Sequence, residues 1–369
     1  MFVPSVSASG SKHSAFSYGN IYRRYLDCRR NKRNTVNALR FEFNAEEEVL
    51  KLEYELQTKT YRPSRSILFA AKKPKLREIF AASFRDRVVH HILVDQLEKI
   101  WEPAFIHDSY ACRDGKGTHA AVARLKTFLR QITSNGHRRA YYLQLDIKDF
   151  FPSIDKQILF EQIRRRLADP DLLWLARLII FWDCTQSYVA KGEPQLLAQV
   201  PPHKSLFGKN NERGLPIGNL TSQFFANIYL NDLDQFVKHQ LRAKQYIRYV
   251  DDFVIMSEDP DQLVQWRDQI ESFLPGRLKL QLHPKRRKLE AVSQGIDFLG
   301  YIVRHDYTLV RRRVINNLKS KLRQFAQAPV KDFEALRTTV ASYLGHFKHA
   351  NSYALKQSII EARSMNLNA

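Results

Sequence analysis

Cysteine is scarce in this sequence, and long apolar runs are absent. The three cysteines, Cys28, Cys112 and Cys184, are an odd number without CxxC or Cys/His spacing, which excludes a disulfide framework and a zinc-finger site. The pairs His90–His91 and His346–His349 also lack further ligands at metal spacing, so capping or RNA contact is expected of them. The apolar runs are too short to span a bilayer, and the N-terminal segment has no secretory pattern. These absences predict a cytoplasmic protein without membrane insertion.

Positive charge, by contrast, is abundant. The 369 residues include 59 Lys and Arg against 38 Asp and Glu, a formal net charge of +21. A large polyanion is therefore the expected partner, and nucleic acid fits better than an anionic membrane surface or a ribosome-like scaffold. With 44% hydrophobic residues the chain can bury a sizeable core, and its length predicts two or three domains.

The N-terminal third predicts helices around a basic hairpin. Asn44 is predicted to cap a helix that has an apolar stripe at Val49, Leu52 and Leu56. Residues 64–82 predict two strands around a turn, and FRDRVVHHILVDQLEKI predicts the next helix. Basic side chains on the turn are Lys72, Lys73, Lys75 and Arg77.

Farther along, the sequence predicts a long loop, a buried helix and a helical C-terminal module. Residues 185–213 carry Gly, Pro and basic residues, which is typical of a loop. A helix of about five turns is predicted from Thr221. In the last segment, a helix rich in Arg and Lys has an apolar stripe of Val314, Leu318, Leu322 and Phe325.

Acidic residues at two predicted strand ends carry the candidate chemistry. In LQLDIKDFFPSID, the alternation along a strand over 141–147 places Asp146 on the face opposite to Leu143, Leu145 and Ile147. In RYVDDFVIMS, Asp251 and Asp252 lie at the turn of a predicted hairpin. If these strands are neighbours, the three carboxylates meet at one edge of a sheet.

Such an arrangement suits phosphodiester synthesis, which requires an activated 3′-hydroxyl and neutralisation of an anionic transition state. Two Mg²⁺ ions about 4 Å apart provide both, and they need carboxylates from separate elements. We expect Asp146, Asp251 and Asp252 as ligands, with the backbone carbonyl of Ile147 as a further one and Mn²⁺ as an alternative ion. Taken alone, YxDD is a weak signal, because Asp is common in surface turns.

The order of motifs is more specific than any one of them. It runs from the basic hairpin through DxxxFF, GLPIGNLTSQ and YVDD to a lysine-rich turn and FLGY. This order resembles the palm and fingers of reverse transcriptases over roughly residues 45–305. More narrowly, it resembles the reverse transcriptases of diversity-generating retroelements. The motifs that carry this resemblance are FRDRVVHHIL, DSYACRDGKGTHAA, LDIKDFFPSID, GLPIGNLTSQFFANIYLNDLD, YVDDF and SYLGHFKHANSY.

The resemblance implies an α+β, right-hand polymerase fold. Its palm would contain an antiparallel sheet and its thumb would be small and helical. The implied domains are an N-terminal extension (1–44), fingers (45–140), palm (141–303, with the 185–213 insertion loop) and thumb (304–369).

The resemblance also implies roles for individual residues. Asp146, Asp251 and Asp252 match the catalytic carboxylates, and the first two would bind metal directly. Phe151 matches the steric gate that rejects a ribose 2′-hydroxyl, and strand alternation leaves Phe150 for the core.

Further matches concern the nucleotide and the primer. Arg77, with Lys75 or Lys73, matches the clamp on the incoming triphosphate, and Arg113 is a candidate contact to nucleotide or template. Lys285 matches a general acid for the pyrophosphate leaving group, and the neighbouring Arg286, Arg287 and Lys288 are alternatives for that position. The primer grip matches Phe298, Leu299, Gly300 and Tyr301.

One dipeptide departs from most reverse transcriptases. They have Gln before Gly in the turn that contacts nucleotide and template base, whereas this chain has Ile217-Gly218. Ile cannot form the hydrogen bonds of a Gln amide. The substitution is typical of the retroelement family, which implies error-prone copying of template adenines.

The implied partners are a template RNA, the RNA/cDNA duplex, dNTPs and a small basic, oligomeric accessory protein, in a bacterial, archaeal or phage-encoded system. Alternatives in the same class are group II intron, retron and abortive-infection reverse transcriptases. An alternative of another class is a basic RNA-binding protein that keeps the palm without catalysis. The intact Asp146, Asp251 and Asp252 argue against that alternative.

Overall fold

The computed structural model describes residues 15–30, 33, 35–72, 75–327 and 332–364, so Lys73 of the predicted basic turn lies outside the described residues. The described chain divides into two compact units, each built from separate stretches of sequence. The first unit comprises the described residues up to Ile106, Ile147–Phe236 and Glu271–His283. The second comprises His107–Asp146, Val237–Ile270 and the described residues from Pro284 onward.

The structure mixes helices with antiparallel sheet, as expected for an α+β fold. In chain order the helices are α1 (Tyr18–Arg29), α2 (Val36–Phe43), α3 (Ala45–Gln57), α4 (Phe84–Trp101), α5 (Thr118–Ile132), α6 (Phe150–Ser153), α7 (Lys156–Arg164), α8 (Pro170–Phe181), α9 (Pro194–Ala198), α10 (Leu220–Gln235), α11 (Pro260–Leu278), α12 (Arg312–Gln327), α13 (Phe333–Phe347) and α14 (Tyr353–Ser364). The strands are β1 (Ser66–Ala71), β2 (Arg77–Ala81), β3 (Tyr141–Ile147), β4 (Tyr188–Ala190), β5 (Tyr246–Tyr249), β6 (Asp252–Ser257), β7 (Leu282–Ala291), β8 (Ile296–Phe298), β9 (Tyr301–Val303) and β10 (Thr308–Val310). None of the described helices is both long and apolar enough to cross a bilayer.

In the first unit, the predicted basic hairpin is confirmed. Strands β1 and β2 pair antiparallel, with Ile67 opposite Ala81 and Ala71 opposite Arg77. Strand β4 pairs parallel with β1, so the sheet order is β2-β1-β4. The prediction of a plain loop over 185–213 was therefore wrong in part, because this segment contributes β4 and the short helix α9. A strand of three residues is too short to leave a period-2 signal in the sequence.

The helix predicted after Asn44 is present as α3, and Val49, Leu52 and Leu56 are fully buried. The predicted cap is wrong, since the Asn44 side chain makes no capping hydrogen bond. Helix α2 ends at Phe43, directly before Asn44. The junction leaves Asn44 at φ −122° and ψ 38°, outside the extended geometry that a capping residue adopts.

In the second unit, a four-stranded sheet has the order β5-β6-β3-β7. Its apolar cluster contains Leu125 and Phe128 of α5, Tyr142 of β3, and Val254 and Met256 of β6. A smaller sheet has the order β10-β9-β8. Beyond it, a separate apolar cluster of Val310, Leu318 and Phe347 holds α12 and α13 together. The apolar cluster with α5 thus covers one face of the four-stranded sheet within this unit, and the ends of its strands can present polar side chains.

Candidate active site

The hairpin that carries Asp251 and Asp252 is present as predicted, and its turn is strained. Tyr249 of β5 pairs with Asp252 of β6, which leaves Val250 and Asp251 as a two-residue turn. Val250 has φ +56°, whereas Asp251 is not among the described residues with positive φ. A positive φ at the first turn position alone is the pattern of a type II′ turn, where Gly is the usual residue. A β-branched residue there is an outlier that the surrounding structure must hold in place.

Arg248 holds this turn. Its side chain is fully buried, and its guanidinium donates to the carbonyl of Val250 (3.0 Å) and to Oγ of Ser109 (3.1 Å). Backbone hydrogen bonds fix Arg248 itself, since its N–H donates to the carbonyl of Asp108 (2.9 Å) and its carbonyl accepts from the N–H of Tyr110 (3.0 Å). The segment 108–110 thus fixes Arg248 in place. The charged guanidinium donor of Arg248 offsets the cost of the strained backbone conformation at Val250.

Asp146 lies directly beside the hairpin. In the antiparallel pairing of β3 with β6, Asp146 is opposite Asp252. Gln144 Nε2 donates to both carboxylate oxygens of Asp252, at 3.1 and 3.3 Å, and to the backbone carbonyl of Asp297 at 3.2 Å. The expectation that these strands are neighbours is confirmed, and Gln144 fixes the orientation of the Asp252 carboxylate.

The electrostatics of this edge favour a cation. The pKa of Asp252 is raised to about 7, mainly by burial and also by the negative charges of Asp146, Asp251 and Asp297, whereas the hydrogen bond from Gln144 acts to lower it. Four acidic side chains therefore act on one another at the end of the sheet. A cation bound among them would remove the repulsion that disfavours the charged carboxylates.

Asp146 is neither sealed inside the core nor fully exposed. Its side chain retains 16% of its accessibility and is hydrogen-bonded to the guanidinium of Arg286 on β7. The predicted alternation along β3 is confirmed, because the buried Leu143 and Leu145 lie on the other face. However, Tyr142 on the same face as Asp146 is also buried, so this face is open only near the strand end.

The donor chemistry fits a hard divalent cation such as Mg²⁺, which prefers carboxylate oxygens. Among the residues that the structure describes, no group of three or more His, Cys, Asp or Glu side chains converges as a metal-binding cluster. The positive partner of Asp146 is Arg286. Metal ligation by Asp146, Asp251 and Asp252, and by the carbonyl of Ile147, stays a prediction.

On strand β7, the residue that contacts the carboxylate of Asp146 is Arg286, one position after Lys285. Adjacent residues of a strand face opposite sides of the sheet, so Lys285 and Arg286 cannot both point toward Asp146 while β7 remains regular. Lys288, on the side of Arg286, pairs with Glu290 at 2.9 Å. The role of Lys285 as general acid stays a prediction, and Arg286 is the basic group that the structure brings to Asp146.

The FLGY segment forms a second tight hairpin in this unit. Phe298 of β8 pairs with Tyr301 of β9, and the two turn residues Leu299 and Gly300 have φ +51° and +92°. Positive φ at both positions is the type I′ pattern, which favours Asn-Gly. Phe298 and Tyr301 are fully buried. The residues matched to the primer grip therefore form one rigid turn, although their contact with a primer stays a prediction.

Arg113 also belongs to the second unit. It is half-buried, and Nη1 donates to the carbonyl of Ser109 at 2.9 Å. This contact joins Arg113 to the same segment that supports Arg248. Its predicted contact with nucleotide or template is untested.

In the first unit, Phe150 and Phe151 divide as expected between core and surface. Phe150 is 2% exposed, whereas Phe151 is half-buried. The predicted reason was wrong, because the pair lies in the short helix α6 and not on a strand. Asp149, in the left-handed conformation (φ 45°), ends the strand path before α6. The N–H of Leu215 donates to the carbonyl of Phe151 (3.0 Å), which joins the GLPIG segment to the candidate gate.

The Ile217-Gly218 turn is bound to the basic hairpin of the same unit. The N–H of Phe80 on β2 donates to the carbonyl of Ile217 (3.0 Å), and the N–H of Ala82 donates to Oδ1 of Asn219 (2.9 Å). Ile217 is half-buried and Gly218 is exposed. The turn therefore follows β2, the strand that begins at Arg77.

Gly218 is required at this turn for two reasons. Its φ of +119° disfavours any side chain, and a Cβ there would lie 2.8 Å from Cγ2 of Ile79. Arg77 and Lys75, the predicted triphosphate contacts, are exposed at the start of the same hairpin arm. Within the first unit, the structure thus brings the candidate gate, the Ile-Gly turn and the basic strand into one connected set.

Comparison with known proteins identifies the family. The sequence profile described as reverse transcriptase (RNA-dependent DNA polymerase) matches residues 70–303, well over half of the chain. The chain belongs to the reverse transcriptase family. The matched range contains the three carboxylates, the Ile-Gly turn and the FLGY hairpin. As a member of this family, the chain is an RNA-directed DNA polymerase with the right-hand polymerase fold.

This reverse transcriptase is similar to several curated proteins. Protein YkfC of Escherichia coli strain K12 is 25% identical over 300 residues, covering 72% of this chain and 73% of that protein. Group II intron-encoded protein LtrA of Lactococcus lactis subsp. cremoris is 25% identical over 360 residues, covering 76% of this chain and 56% of that protein. Retron Ec73 reverse transcriptase of Escherichia coli is 24% identical over 277 residues, covering 69% and 72%. This chain thus spans just over half the length of the intron-encoded relative.

Among solved structures, apo telomerase from Candida tropicalis, truncated from its C-terminal domain, matches with a TM-score of 0.45 and 13% identity. The match covers 64% of this chain and 53% of that chain.

Two residues that hold the candidate catalytic carboxylates of this reverse transcriptase, Arg248 and Gln144, were not predicted from the sequence. Arg248 sits among apolar strand residues, and nothing in RYVDDF indicates that its charge is buried. Gln144 gave no signal beyond its position two residues before Asp146. Both act through contacts with residues more than 100 positions away, which local patterns do not report.

Proposed function

We propose that this reverse transcriptase synthesises cDNA on a template RNA by two-metal nucleotidyl transfer at Asp146, Asp251 and Asp252. The observation that supports this most directly is the pairing of Asp146 with Asp252 at the ends of two neighbouring strands, where burial and acidic neighbours raise the pKa of Asp252. Bound Mg²⁺ would supply charge neutralisation and activation of the primer 3′-hydroxyl. Arg248 and Gln144 would hold the carboxylates in position for it.

The remaining site residues are assigned by the same proposal. In the first unit, Arg77 and Lys75 bind the triphosphate, Phe151 excludes the ribose 2′-hydroxyl, and Ile217-Gly218 contacts the nucleotide and template base. In the second unit, the FLGY turn holds the primer. Exposure of Arg77 and Lys75, the half-buried ring of Phe151 and the exposed Gly218 are consistent with these assignments.

Primer extension on an RNA template with dNTPs and Mg²⁺ tests the catalytic part. We expect extension by the wild type and a fall of about 10³-fold or more for Asp252→Ala and Asp251→Ala. Asp268→Ala is the matched control, since Asp268 is an exposed acid on α11 that pairs with Arg267. Equal activity of the Asp252→Ala variant and the control would overturn the proposal. No product under any condition would favour the non-catalytic RNA-binding alternative.

We further propose that the chain serves a diversity-generating retroelement, with errors opposite template adenines to which Ile217 contributes. The motifs and the Ile217-Gly218 dipeptide support this subtype over the group II intron, retron and abortive-infection alternatives. A small basic, oligomeric accessory protein would belong to the same system. The chain's bacterial relatives also favour a bacterial, archaeal or phage source and a cytoplasmic location.

Sequencing of cDNA made on one RNA template tests the subtype. The wild type should misincorporate more often opposite adenine than opposite the other three bases, and Ile217→Gln should reduce this excess. Ile217→Val keeps an apolar side chain and serves as the control. An identical error spectrum for the wild type and Ile217→Gln would contradict the role of Ile217.

A further inference from the structure

The motif SYLGHFKHANSY, at 342–353, has a structural role that the proposed function leaves open. Its central residues pack against the FLGY hairpin from behind. Phe347 is fully buried in the cluster with Val310 and Leu318, which fixes the end of α13. Asn351 exchanges two hydrogen bonds with Thr308 of β10, at 2.8 and 2.9 Å. Helix α13 is thus attached to the small sheet by apolar and polar contacts together.

Between these two attachments, His346 meets Tyr301. The rings stack at 4.2 Å between centroids and 21° between planes. The Tyr301 hydroxyl donates to the backbone carbonyl of His346 at 2.8 Å and lies 3.0 Å from His346 Nδ1. Tyr301 is fully buried, so this hydroxyl depends on protein partners for its hydrogen bonds.

Two more imidazoles complete a histidine cluster of His119, His346 and His349. His119 of α5 places Nδ1 3.2 Å from the Tyr301 hydroxyl and stacks on His349 with ring centroids 3.6 Å apart. The planes of these two rings differ by 13°, so the rings lie face to face and their nitrogen atoms do not converge on a common metal position. The histidine cluster therefore contacts the FLGY hairpin through ring stacking on Tyr301 and through the hydrogen bonds of its hydroxyl.

The FLGY turn itself is shaped around His346. A Cβ on Gly300 would lie 3.3 Å from both Cε1 and Nε2 of that imidazole, so a larger residue would press on the ring. The carbonyl of Gly300 accepts from the N–H of Arg311 at 2.9 Å. With Leu299 and Gly300 both at positive φ, the turn has little freedom to move independently of α13.

We propose that His346 is a positioning residue that fixes the primer-holding turn to α13, so that SYLGHFKHANSY sets where the primer strand is held. This inference rests on the proposed primer contact of the FLGY turn. His346 touches neither substrate nor metal in this scheme. It acts through Tyr301 and Gly300, and the geometric precision of the primer end depends on it, since a small displacement of a reacting group lowers rate strongly.

Three variants separate the parts of this contact. His346→Phe keeps a stacking ring and removes the hydrogen bond, whereas His346→Asn keeps a polar group near the Nδ1 position and removes the ring. Tyr301→Phe removes the hydroxyl from the other side. Leu344→Ala, at an exposed position on the same helix, is the matched control.

The readouts are the Kd for a primer–template duplex, measured by fluorescence anisotropy, and the KM for dNTP on the pre-bound duplex. We expect His346→Phe and Tyr301→Phe each to raise the duplex Kd about tenfold. The double variant should be no worse than Tyr301→Phe alone, because the contact between the hydroxyl and Nδ1 of His346 is already absent in that variant. His346→Asn should recover part of the loss, and dNTP KM should stay within about twofold, because the nucleotide contacts lie elsewhere.

Additive effects in the double variant, or equal changes in duplex Kd and dNTP KM, would overturn the inference. An unchanged duplex Kd in His346→Phe would do the same. The duplex Kd is measured without catalysis, so the inference is decided even if the wild type makes no cDNA. That second result would instead count against the proposed polymerase function.

Discussion

Two hairpins of the second unit use similar turns and are held in different ways. The YVDD turn has Val250 at a position that favours Gly, and the FLGY turn has Leu299 at one that favours Asn or Gly. The first is held by the buried guanidinium of Arg248, the second by aromatic and imidazole rings around Tyr301. Neither turn is therefore stable through its local conformational preference alone. The first depends on Arg248, which is anchored on Ser109, and the second depends on contacts from α13.

The difference follows from the charge that each hairpin carries. The YVDD turn presents two carboxylates, and a permanent cation behind it offsets their repulsion without titrating near neutral pH. The FLGY turn carries no charge of its own, so neutral rings are sufficient. This contrast suggests that the first hairpin is built to carry negative charge and the second to keep a fixed shape.

The largest effect is expected from removing the guanidinium. Arg248→Met should lower nucleotide incorporation by about 100-fold, because the carbonyl of Val250 and the hydroxyl of Ser109 lose their donor and the turn can relax. The free energy of unfolding should fall by about 2 kcal/mol or more. Steady-state primer extension and urea unfolding measure the two effects. Arg242→Met, at an exposed arginine, should change neither the activity nor the free energy of unfolding. Wild-type activity of the Arg248→Met enzyme would contradict the role of Arg248 in holding the YVDD turn.

A smaller effect is expected from relaxing the turns themselves. Val250→Gly should raise the free energy of unfolding by about 1 kcal/mol, because relief of strain exceeds the entropy cost of Gly. Leu299→Asn should stay within about 0.5 kcal/mol of the wild type, since Leu299 also packs on the core cluster and loses that burial. Denaturant unfolding of both variants tests this. A destabilised Val250→Gly protein would show that the turn is not strained as described.

The smallest effect concerns pH. Burial and the neighbouring histidines lower the pKa values of His346 and His119 in the fold. Both groups therefore favour the folded state when neutral, and this stability is present above the unfolded-state pKa of about 6.5 and is lost as the pH falls toward the folded-state values. His349 and His346 act on the His119 imidazole, and His349 acts on the His346 imidazole.

Hydrogen-exchange protection factors of the two hairpins, measured between pH 7.5 and pH 5, should reveal this asymmetry at roughly the pKa of histidine. Protection should decrease in the FLGY hairpin and not in the YVDD hairpin, whose guanidinium stays charged. The raised pKa of Asp252 acts in the opposite direction, since its protonated form is favoured in the fold. His346→Phe should reduce the acid sensitivity of the FLGY hairpin. Parallel loss of protection in both hairpins would contradict the assignment.

The sequence predicts most of what lies along a single strand or hairpin. Period-2 alternation predicted that Asp146 lies on the strand face opposite Leu143 and Leu145, and the structure confirms it. The apolar runs beside Asp251 and Asp252 predicted a hairpin, which is also present. The basic hairpin of the first unit was predicted from the same kind of pattern. These features succeed because side-chain direction in a strand depends only on position.

Contacts between distant segments could not be predicted in this way. The burial of Arg248 depends on Ser109, 139 residues away in sequence, and the ring stack on Tyr301 depends on α13. The capping error at Asn44 has the same origin, since the adjoining helix α2 decides the local geometry. Local patterns thus indicated the candidate catalytic residues and left out those that hold them.

The central claim is that Asp146, Asp251 and Asp252 together bind divalent cations. Mn²⁺ binding, followed by electron paramagnetic resonance with a 3′-deoxy-terminated primer on template RNA and a dNTP, tests it most directly. We expect two bound ions per chain in the wild type, and an affinity weaker by about tenfold or more in Asp146→Asn and Asp252→Asn. The same number of ions bound with the same affinity in the wild type and both variants would contradict it.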